Sequence, residues 1–260
     1  MSPYVGAYSV EVGSGRVLFS DHANREAYPA SCTKLMTARL LLKAVREGKV
    51  KPTERIVQSK RAQAVEPSKI DLAVGETITV SDAMKALMLK SANDIAIDIA
   101  ERVGGSVEGF VAMMNAEAKA LGMKNTVFES PNGLPPKRGE KRGFDRSTAA
   151  DLAKLGVAIV KEQPEILAFT KMASATVPGR GGVPVTMQNH NNFLWKRGVK
   201  IAEVDGLKTG YIDAGGSSIV LTGTRNGKRA VVVVTGAQTA KEREAQAGRL
   251  MMDALDSFGW

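Results

Sequence analysis

The chain has 260 residues, of which 43% are hydrophobic and 24% are charged. These values are typical of a globular protein and exclude collagen-like, coiled-coil and disordered chains. No segment approaches the ~20 consecutive apolar residues that a membrane helix needs, so we expect no membrane span. One cysteine and two distant histidines exclude an intrachain disulfide framework and argue against a zinc site. We therefore expect neither a metal ion nor a cofactor.

The net charge of +9 favours an anionic partner such as nucleic acid, an anionic membrane face or a wall polymer. The densest basic run covers residues 137–142, and a glutamate interrupts it. Aromatic residues make up only 5% of the chain, which is few for stacking on nucleic-acid bases. A solvated basic face is the favoured interpretation, and we expect no nucleic-acid partner.

The N-terminal part predicts a β-hairpin followed by a buried helix. Residues 4–12 and 16–20 are strand-like, and Gly13-Ser14-Gly15 forms the turn between them. A largely apolar stretch over residues 35–45, with no helix breaker before Gly48, predicts a helix whose first turn contains Ser31.

The middle of the chain reads mostly as helices joined by polar loops. Ser81 is the predicted N-cap of one helix, and a second helix begins at Asp94. Ser106 and Thr148 are predicted to begin two further helices, with a loop over residues 131–143 between them.

The C-terminal part returns to strands. Residues 216–224 and 228–236 are rich in β-branched side chains and flank Asn226-Gly227, a strong hairpin signal. Residues 239–258 then predict an amphipathic helix.

The predicted fold class is α+β, because strands lie at both ends of the chain and helices lie between them. We expect one antiparallel sheet built from both termini, flanked by helices, with a mostly helical lobe inserted. The predicted unit is a single domain, with a sheet lobe at about residues 1–30 and 200–260 and a helical lobe at about residues 31–199. A cleft between the lobes is the expected place for a site.

The first motif with chemical meaning is S-x-x-K at Ser31 and Lys34. Residues three apart share one face of a helix, so the serine hydroxyl and the lysine amine can meet. Serine is a weak nucleophile until a base takes its proton, and a buried lysine can serve because burial disfavours its charged form. Alone, the motif is equally a capping serine beside a surface lysine.

The second motif, Ser91-Ala92-Asn93, places a hydroxyl and an amide in a turn between helices. The serine can relay a proton and the asparagine can hold a peptide amide, although an N-cap pair would look the same. The third motif is Lys208-Thr209-Gly210. It offers a cation, a hydroxyl and a position without a side chain, which suit a ligand carboxylate and a close backbone approach.

In this order, the three motifs resemble the set found in penicillin-binding proteins and class A β-lactamases. The chain is similar to the catalytic domain of the serine-type D-alanyl-D-alanine carboxypeptidases, which are low-molecular-mass penicillin-binding proteins. The resemblance extends over most of the chain, through YPASCTKLMT (28–37), KSANDIA (90–96), SPNGLP (130–135), STAADLAKL (147–155) and VDGLKTGY (204–211). It implies the fold of the penicillin-binding proteins and β-lactamases.

The resemblance also implies a role for each motif. Ser31 would be the acylated nucleophile, Lys34 its base and Ser91 a proton relay. The substrate would be held by the residues Asn93, Lys208, Thr209, Gly210, Tyr211 and Arg243. The amides of Ser31 and Tyr211 would form the oxyanion hole. Arg243 matches a family arginine seven residues before a Leu-Leu-like pair, here Leu250-Met251, although a solvated helix arginine remains the alternative.

The implied reaction removes the terminal D-alanine from peptidoglycan stem peptides without metal or cofactor, and penicillins would acylate the same serine. The implied location is periplasmic or extracellular. Residues 1–4 show no signal-peptide pattern, so we expect either a cytoplasmic protein or, in better agreement with the motifs, a mature domain. The C-terminal β-rich domain and membrane anchor of many relatives are not expected in this chain.

Three positions depart from the family pattern. Cys32 stands where a hydrophobic or small residue is usual, and we expect a buried bystander. Ile212 and Arg146 replace a threonine and a tyrosine that many relatives carry.

Several other functions remain open from the sequence. A D,D-endopeptidase acting on cross-links would use the same residues. A β-lactamase is less favoured because no E-x-x-L-N pattern lies between the second and third motifs. A non-catalytic module that binds wall peptides is disfavoured by the three intact motifs.

Overall fold

The computed structural model describes residues 2–259 of the chain. The strands are β1 (Gly6–Glu11), β2 (Val17–Asp21), β3 (Arg55–Val57), β4 (Thr77–Thr79), β5 (Ser174–Pro178), β6 (Pro184–Gln188), β7 (Val204–Ile212), β8 (Gly216–Arg225) and β9 (Lys228–Ala237). The helices are α1 (Lys34–Arg46), α2 (Lys60–Gln63), α3 (Val80–Lys85), α4 (Asn93–Gly104), α5 (Val107–Ala120), α6 (Ala149–Glu162), α7 (Leu167–Thr170) and α8 (Ala240–Asp256).

The main sheet joins the two ends of the chain, as the sequence predicts. Its five strands are antiparallel and run in the order β2-β1-β9-β8-β7. Asn226 and Gly227 connect β8 to β9 with φ values of 52° and 73°, which are the positive angles of the tight hairpin turn that the Asn-Gly pair predicts. The α+β fold class is thereby confirmed.

Helices cover both faces of the main sheet because its central strands are apolar on both sides. Along β9, Val231 and Val233 belong to the core shared with α6, whereas Val232 and Val234 belong to the core shared with α8. Successive side chains of a strand point to opposite faces, so one run of valines supplies both cores. The sheet is consequently held rigid, and β7 at its edge is a firm support for a site.

Most helix starts agree with the sequence. Ser106, Thr148 and Thr239 cap α5, α6 and α8 with their side chains, each accepting a backbone N–H three residues on. The predicted cap at Ser81 is wrong. Thr79 caps α3 instead, because its hydroxyl accepts the N–H of Asp82 and the helix already begins at Val80.

The segment at Ser31 also differs from a simple helix start. Residues Ala30–Thr33 form a 3-10 turn, and the α-helix begins at Lys34. The inserted segment further contains two small two-stranded sheets, β3-β4 and β5-β6, which the sequence did not predict. Within residues 2–259, no helix combines the length and hydropathy needed to cross a bilayer.

Gly133 brings the loop after α5 into direct contact with the Ser31 turn. A Cβ atom at this position would overlap the carbonyl oxygen of Ala30, and the residue has a φ of +81°. Only glycine meets both conditions at once. Gly122 offers a matched comparison, because its φ is +69° but, among the described residues other than its chain neighbours, no atom lies within 4 Å of the point that a Cβ atom would occupy.

We therefore expect Gly133→Ala to destabilise the protein much more than Gly122→Ala. Gly122→Ala adds only the cost of a left-handed alanine, about 1–2 kcal/mol. Gly133→Ala adds to this an overlap with the main chain, which typically costs about 1–3 kcal/mol more. Urea unfolding of the two variants checks the difference, and equal losses of stability would show that the contact with Ala30 is not tight.

Candidate active site

The first motif places its two polar groups in contact. Ser31 lies in the 3-10 turn, and Lys34 is the first residue of α1. The Lys34 Nζ atom is 2.9 Å from Ser31 Oγ. The sequence predicts that residues three apart bring the Ser31 hydroxyl and the Lys34 amine together, and the structure shows this contact.

The Lys34 amine is fully buried and its three partners are all neutral. In its neutral form the amine donates its two hydrogens to Asn93 Oδ1 at 2.7 Å and to the carbonyl oxygen of Asn132 at 2.7 Å, which leaves its lone pair to accept the Ser31 hydroxyl. Among residues 2–259, no carboxylate forms an ion pair with it. Burial, together with the nearby positive charge of Lys208, holds the pKa of Lys34 well below its ordinary value. A lysine in this state can accept a proton.

The second motif forms the opposite wall. A π-type turn over Ala86–Lys90 ends at Ser91, which has a φ of +60°, and α4 begins at Asn93. The Asn93 amide group donates to the carbonyl of Pro67, which leaves its oxygen for Lys34. Ser91 Oγ is buried and has no hydrogen-bond partner within the described part of the chain. An unpaired buried hydroxyl next to a cavity is a group available to a ligand.

The third motif lies on β7, at the edge of the main sheet. Lys208 is buried, its amine donates to the carbonyl of Thr209 at 3.0 Å, and burial lowers its pKa to about 8. A Cβ on Gly210 would lie 2.7 Å from the carbonyl oxygen of Pro29 and 2.9 Å from the amide nitrogen of Ser31. The missing side chain at Gly210 therefore lets the strand lie against the Ser31 turn.

Arg243 reaches the same site from α8. It is only 6% exposed, which rules out a solvated helix arginine. Its guanidinium approaches Glu244 at 3.4 Å, while its Nε has no hydrogen-bond partner within residues 2–259. Arginine stays charged, so the site keeps a cation with an unused donor.

A cavity of about 440 Å³ joins these groups. Of the residues predicted from the sequence, it is lined by Ser31, Ser91, Asn93, Thr209, Gly210, Tyr211 and Arg243. The two remaining predicted residues, Lys34 and Lys208, are buried behind its wall. The structure therefore brings all nine predicted residues to one place. A larger cavity of about 620 Å³ lies beyond Pro67 and Leu134 and holds none of them.

Cys32 does not compete with Ser31. Its thiol is fully buried, and burial raises its pKa to about 11. A thiol of this kind stays protonated near neutral pH and is a poor nucleophile. The predicted bystander is thus buried as expected.

Some groups of the site have no recognisable signal in the sequence. The acceptor at Asn132 is a main-chain carbonyl, which leaves no signal in the side-chain pattern beyond the SPNGLP match. His190 and Trp195 also line the cavity, and nothing near them in the sequence marked them out. Within residues 2–259, no group of three or more His, Cys, Asp or Glu side chains is placed to bind a metal ion.

Known proteins share both the sequence pattern and this fold. D-alanyl-D-alanine carboxypeptidase DacF of Bacillus subtilis is 33% identical over 252 residues, which are 97% of this chain and 62% of that protein. The chain thus spans about three fifths of the length of this curated relative.

Two solved structures show the same fold. Penicillin-binding protein 6B of Escherichia coli has a TM-score of 0.85 and 30% identity, over 96% of this chain and 76% of that one. Penicillin-binding protein D2 of Listeria monocytogenes, in its ampicillin-bound form, has a TM-score of 0.83 and 30% identity, over 96% of each chain.

The model of one family, Peptidase S11, described as D-alanyl-D-alanine carboxypeptidase, matches residues 6–239. The chain belongs to this family.

Proposed function

We propose that the protein is a serine D,D-carboxypeptidase that removes the terminal D-alanine from peptidoglycan stem peptides. The observation that carries the proposal is the 2.9 Å contact between Ser31 Oγ and the buried, carboxylate-free amine of Lys34. A nucleophile within hydrogen-bond reach of a base is the arrangement that acyl transfer requires. Family membership supports the substrate class.

In the proposed first step, Ser31 Oγ attacks the carbonyl carbon between the two D-alanines while its proton passes to Lys34 Nζ. The amide N–H of Ser31 and that of Tyr211 would hold the developing oxyanion, and the approach of Gly210 to the Ser31 nitrogen supports this placement. The C–N bond then breaks, and the leaving amine takes a proton through the free hydroxyl of Ser91. The product is an ester on Ser31.

In the second step, water attacks the ester carbonyl, and the Ser31 hydroxyl is restored as the shortened peptide leaves. During the first step, Lys208, Thr209 and Arg243 would hold the terminal carboxylate of the D-alanine that leaves, and in both steps Asn93 would hold the peptide backbone. Two cations and a hydroxyl around one cavity suit a carboxylate. Penicillins should enter the same site, and the ampicillin-bound form of the Listeria protein supports this expectation.

The proposal extends to the organisation and location of the chain. We infer that the sheet lobe (about residues 1–30 and 200–260) and the helical lobe (about residues 31–199) form one catalytic unit. The cavity supports this inference, because Ser91 and Arg243 line it from different lobes. Because peptidoglycan lies outside the cytoplasm, we also propose a periplasmic or extracellular location.

The first prediction for this proposed function concerns the acyl-enzyme. Benzylpenicillin should add the mass of one drug molecule to the wild-type protein, because its strained amide places a carbonyl next to Ser31. The adduct should be absent from Ser31→Ala and should persist in Cys32→Ala, which removes the adjacent thiol. Intact-mass spectrometry, followed by assay of D-alanine release from a peptide ending in D-Ala-D-Ala, checks both points.

Other outcomes of this experiment separate the alternatives. Rapid drug consumption without an adduct would indicate a β-lactamase, and cleavage of cross-linked dimers without D-alanine release would indicate an endopeptidase. If the drug is neither bound covalently nor consumed, a non-catalytic binding module becomes the better account.

The second prediction concerns pH. Lys208 is charged below its pKa of about 8 and neutral above it. Because the substrate carboxylate stays ionised over this range, its attraction to Lys208 should be lost as the pH rises through about 8. We therefore expect kcat/KM to fall on the alkaline side with an apparent pKa near 8.

Lys208→Arg is the matched control, since it keeps a cation at alkaline pH. Its alkaline limb should move to higher pH, even though its plateau activity is lower. A wild-type kcat/KM that stays level from pH 7 to pH 10 would contradict the role given to Lys208.

A further inference from the structure

Asp145 is a buried carboxylate that lies just behind the candidate active site. It is only 3% exposed and accepts four hydrogen bonds. Oδ1 accepts the N–H groups of Glu129 at 2.6 Å and Ser130 at 2.9 Å. Oδ2 accepts the hydroxyls of Ser130 and Thr33, both at 2.9 Å. Burial raises the pKa of Asp145, but four converging donors oppose this effect and favour the ionised carboxylate.

These four bonds join two segments that meet at Lys34. Thr33 is the last residue of the 3-10 turn that carries Ser31, and it directly precedes Lys34. Ser130 begins the turn over residues 130–133. In this turn, the carbonyl oxygen of Asn132 accepts a hydrogen bond from Lys34 Nζ. The same carboxylate thus holds both the turn that leads into Lys34 and the turn that supplies a hydrogen-bond acceptor to its amine.

The Ser130 hydroxyl links Asp145 to the backbone of the turn over residues 130–133. Its oxygen accepts the N–H of Gly133 at 2.9 Å, so its hydrogen is left to point at Asp145. Gly133 in turn packs against the Ala30 carbonyl, so the turn cannot move without disturbing the residues next to Ser31. The hydrogen bonds of Asp145 to Ser130 therefore fix the conformation of the turn over residues 130–133.

We propose that Asp145 is a positioning residue for acylation, a role that rests on the function proposed above. Its carboxylate fixes the turn over residues 130–133 against the Ser31 turn, so that the Asn132 carbonyl holds the Lys34 amine in line with Ser31 Oγ. Asp145 does not touch the reacting atoms and acts through Lys34.

The electrostatics add a second effect of Asp145 on the same amine. Burial lowers the pKa of Lys34 most and the charge of Lys208 lowers it further, whereas the carboxylates of Asp145 and Asp94 raise it. Burial outweighs these contributions and keeps the pKa low. Removing the charge of Asp145 should therefore lower the pKa of Lys34 further.

The test is the rate of acylation by benzylpenicillin in Asp145→Asn, measured over a range of pH. Asparagine keeps the shape of the side chain but carries no charge. Its NH2 group also replaces one of the two oxygens that accept hydrogen bonds. We expect the plateau rate constant of acylation to fall about tenfold to a hundredfold, which is the cost of a misplaced catalytic group. The half-saturating drug concentration should change little, and the acidic limb of the profile should move to lower pH.

Asp151→Asn is the matched control. Asp151 is also a buried carboxylate that accepts a backbone N–H and a threonine hydroxyl, from Asn125 at 2.8 Å and Thr126 at 2.9 Å. It has no hydrogen bond to the Ser31 turn or to the turn over residues 130–133. We expect it to lose stability but to acylate at close to the wild-type rate, with an unshifted pH profile.

A second pair of variants serves if Asp145→Asn does not fold. Thr33→Val removes the hydroxyl that reaches Asp145, whereas Thr33→Ser keeps it. The valine variant should acylate more slowly than wild type, and the serine variant should recover most of the rate. Equal rates in both variants would overturn the proposal.

The remaining outcomes are equally decisive. A folded Asp145→Asn protein that acylates like wild type overturns the positioning role, as does an equal loss of rate in Asp151→Asn. If the wild-type protein itself is not acylated at Ser31, the proposed function fails first and the positioning role falls with it. The two failures are therefore distinguished by the wild-type measurement.

Discussion

The site depends on burying the Lys34 amine without giving it a carboxylate partner. An isolated ammonium is costly to bury, so the fold favours the neutral amine and surrounds it with the oxygens of Ser31, Asn93 and Asn132. A carboxylate in contact would restore the charge and remove the capacity to accept a proton. The buried carboxylate of Asp145 instead bonds to Thr33 and to the backbone N–H groups of Glu129 and Ser130.

Holding a neutral amine in place requires several chain segments to meet closely, and the backbone is strained where they do. Ala30 and Ser91 both have positive φ values, 49° and 60°, which non-glycine residues rarely adopt. Strain of this kind costs about 1–3 kcal/mol per residue and persists where the surrounding structure fixes it. At Gly133 and Gly210 a side chain would collide with the backbone of the Ser31 turn, so glycine lets both segments lie against it. The rigid main sheet behind β7 supports this arrangement.

Much of the fold and most of the site could be predicted from the sequence. The Asn226-Gly227 hairpin has a local signal, and the three motifs carry chemistry in their spacing. The contact between Asn132 and Lys34 could not be predicted, because a main-chain carbonyl has no sequence signature. Asp145 was missed for a related reason, since its partners lie up to 112 residues away. The predicted helix cap at Ser81 was wrong because Thr79, two residues earlier, is an equally suitable cap and occupies that position in the structure.

The most direct test of this account is the titration of the Lys34 amine itself. Protein labelled with 13C at the lysine side chains can be followed by NMR across the alkaline range, with Lys34→Met used to assign the signal. We expect the Lys34 signal to titrate well below the ordinary lysine value of 10.5. A Lys34 signal that titrates at the ordinary lysine value would contradict the account, because the amine would then be charged and unable to accept the proton of Ser31.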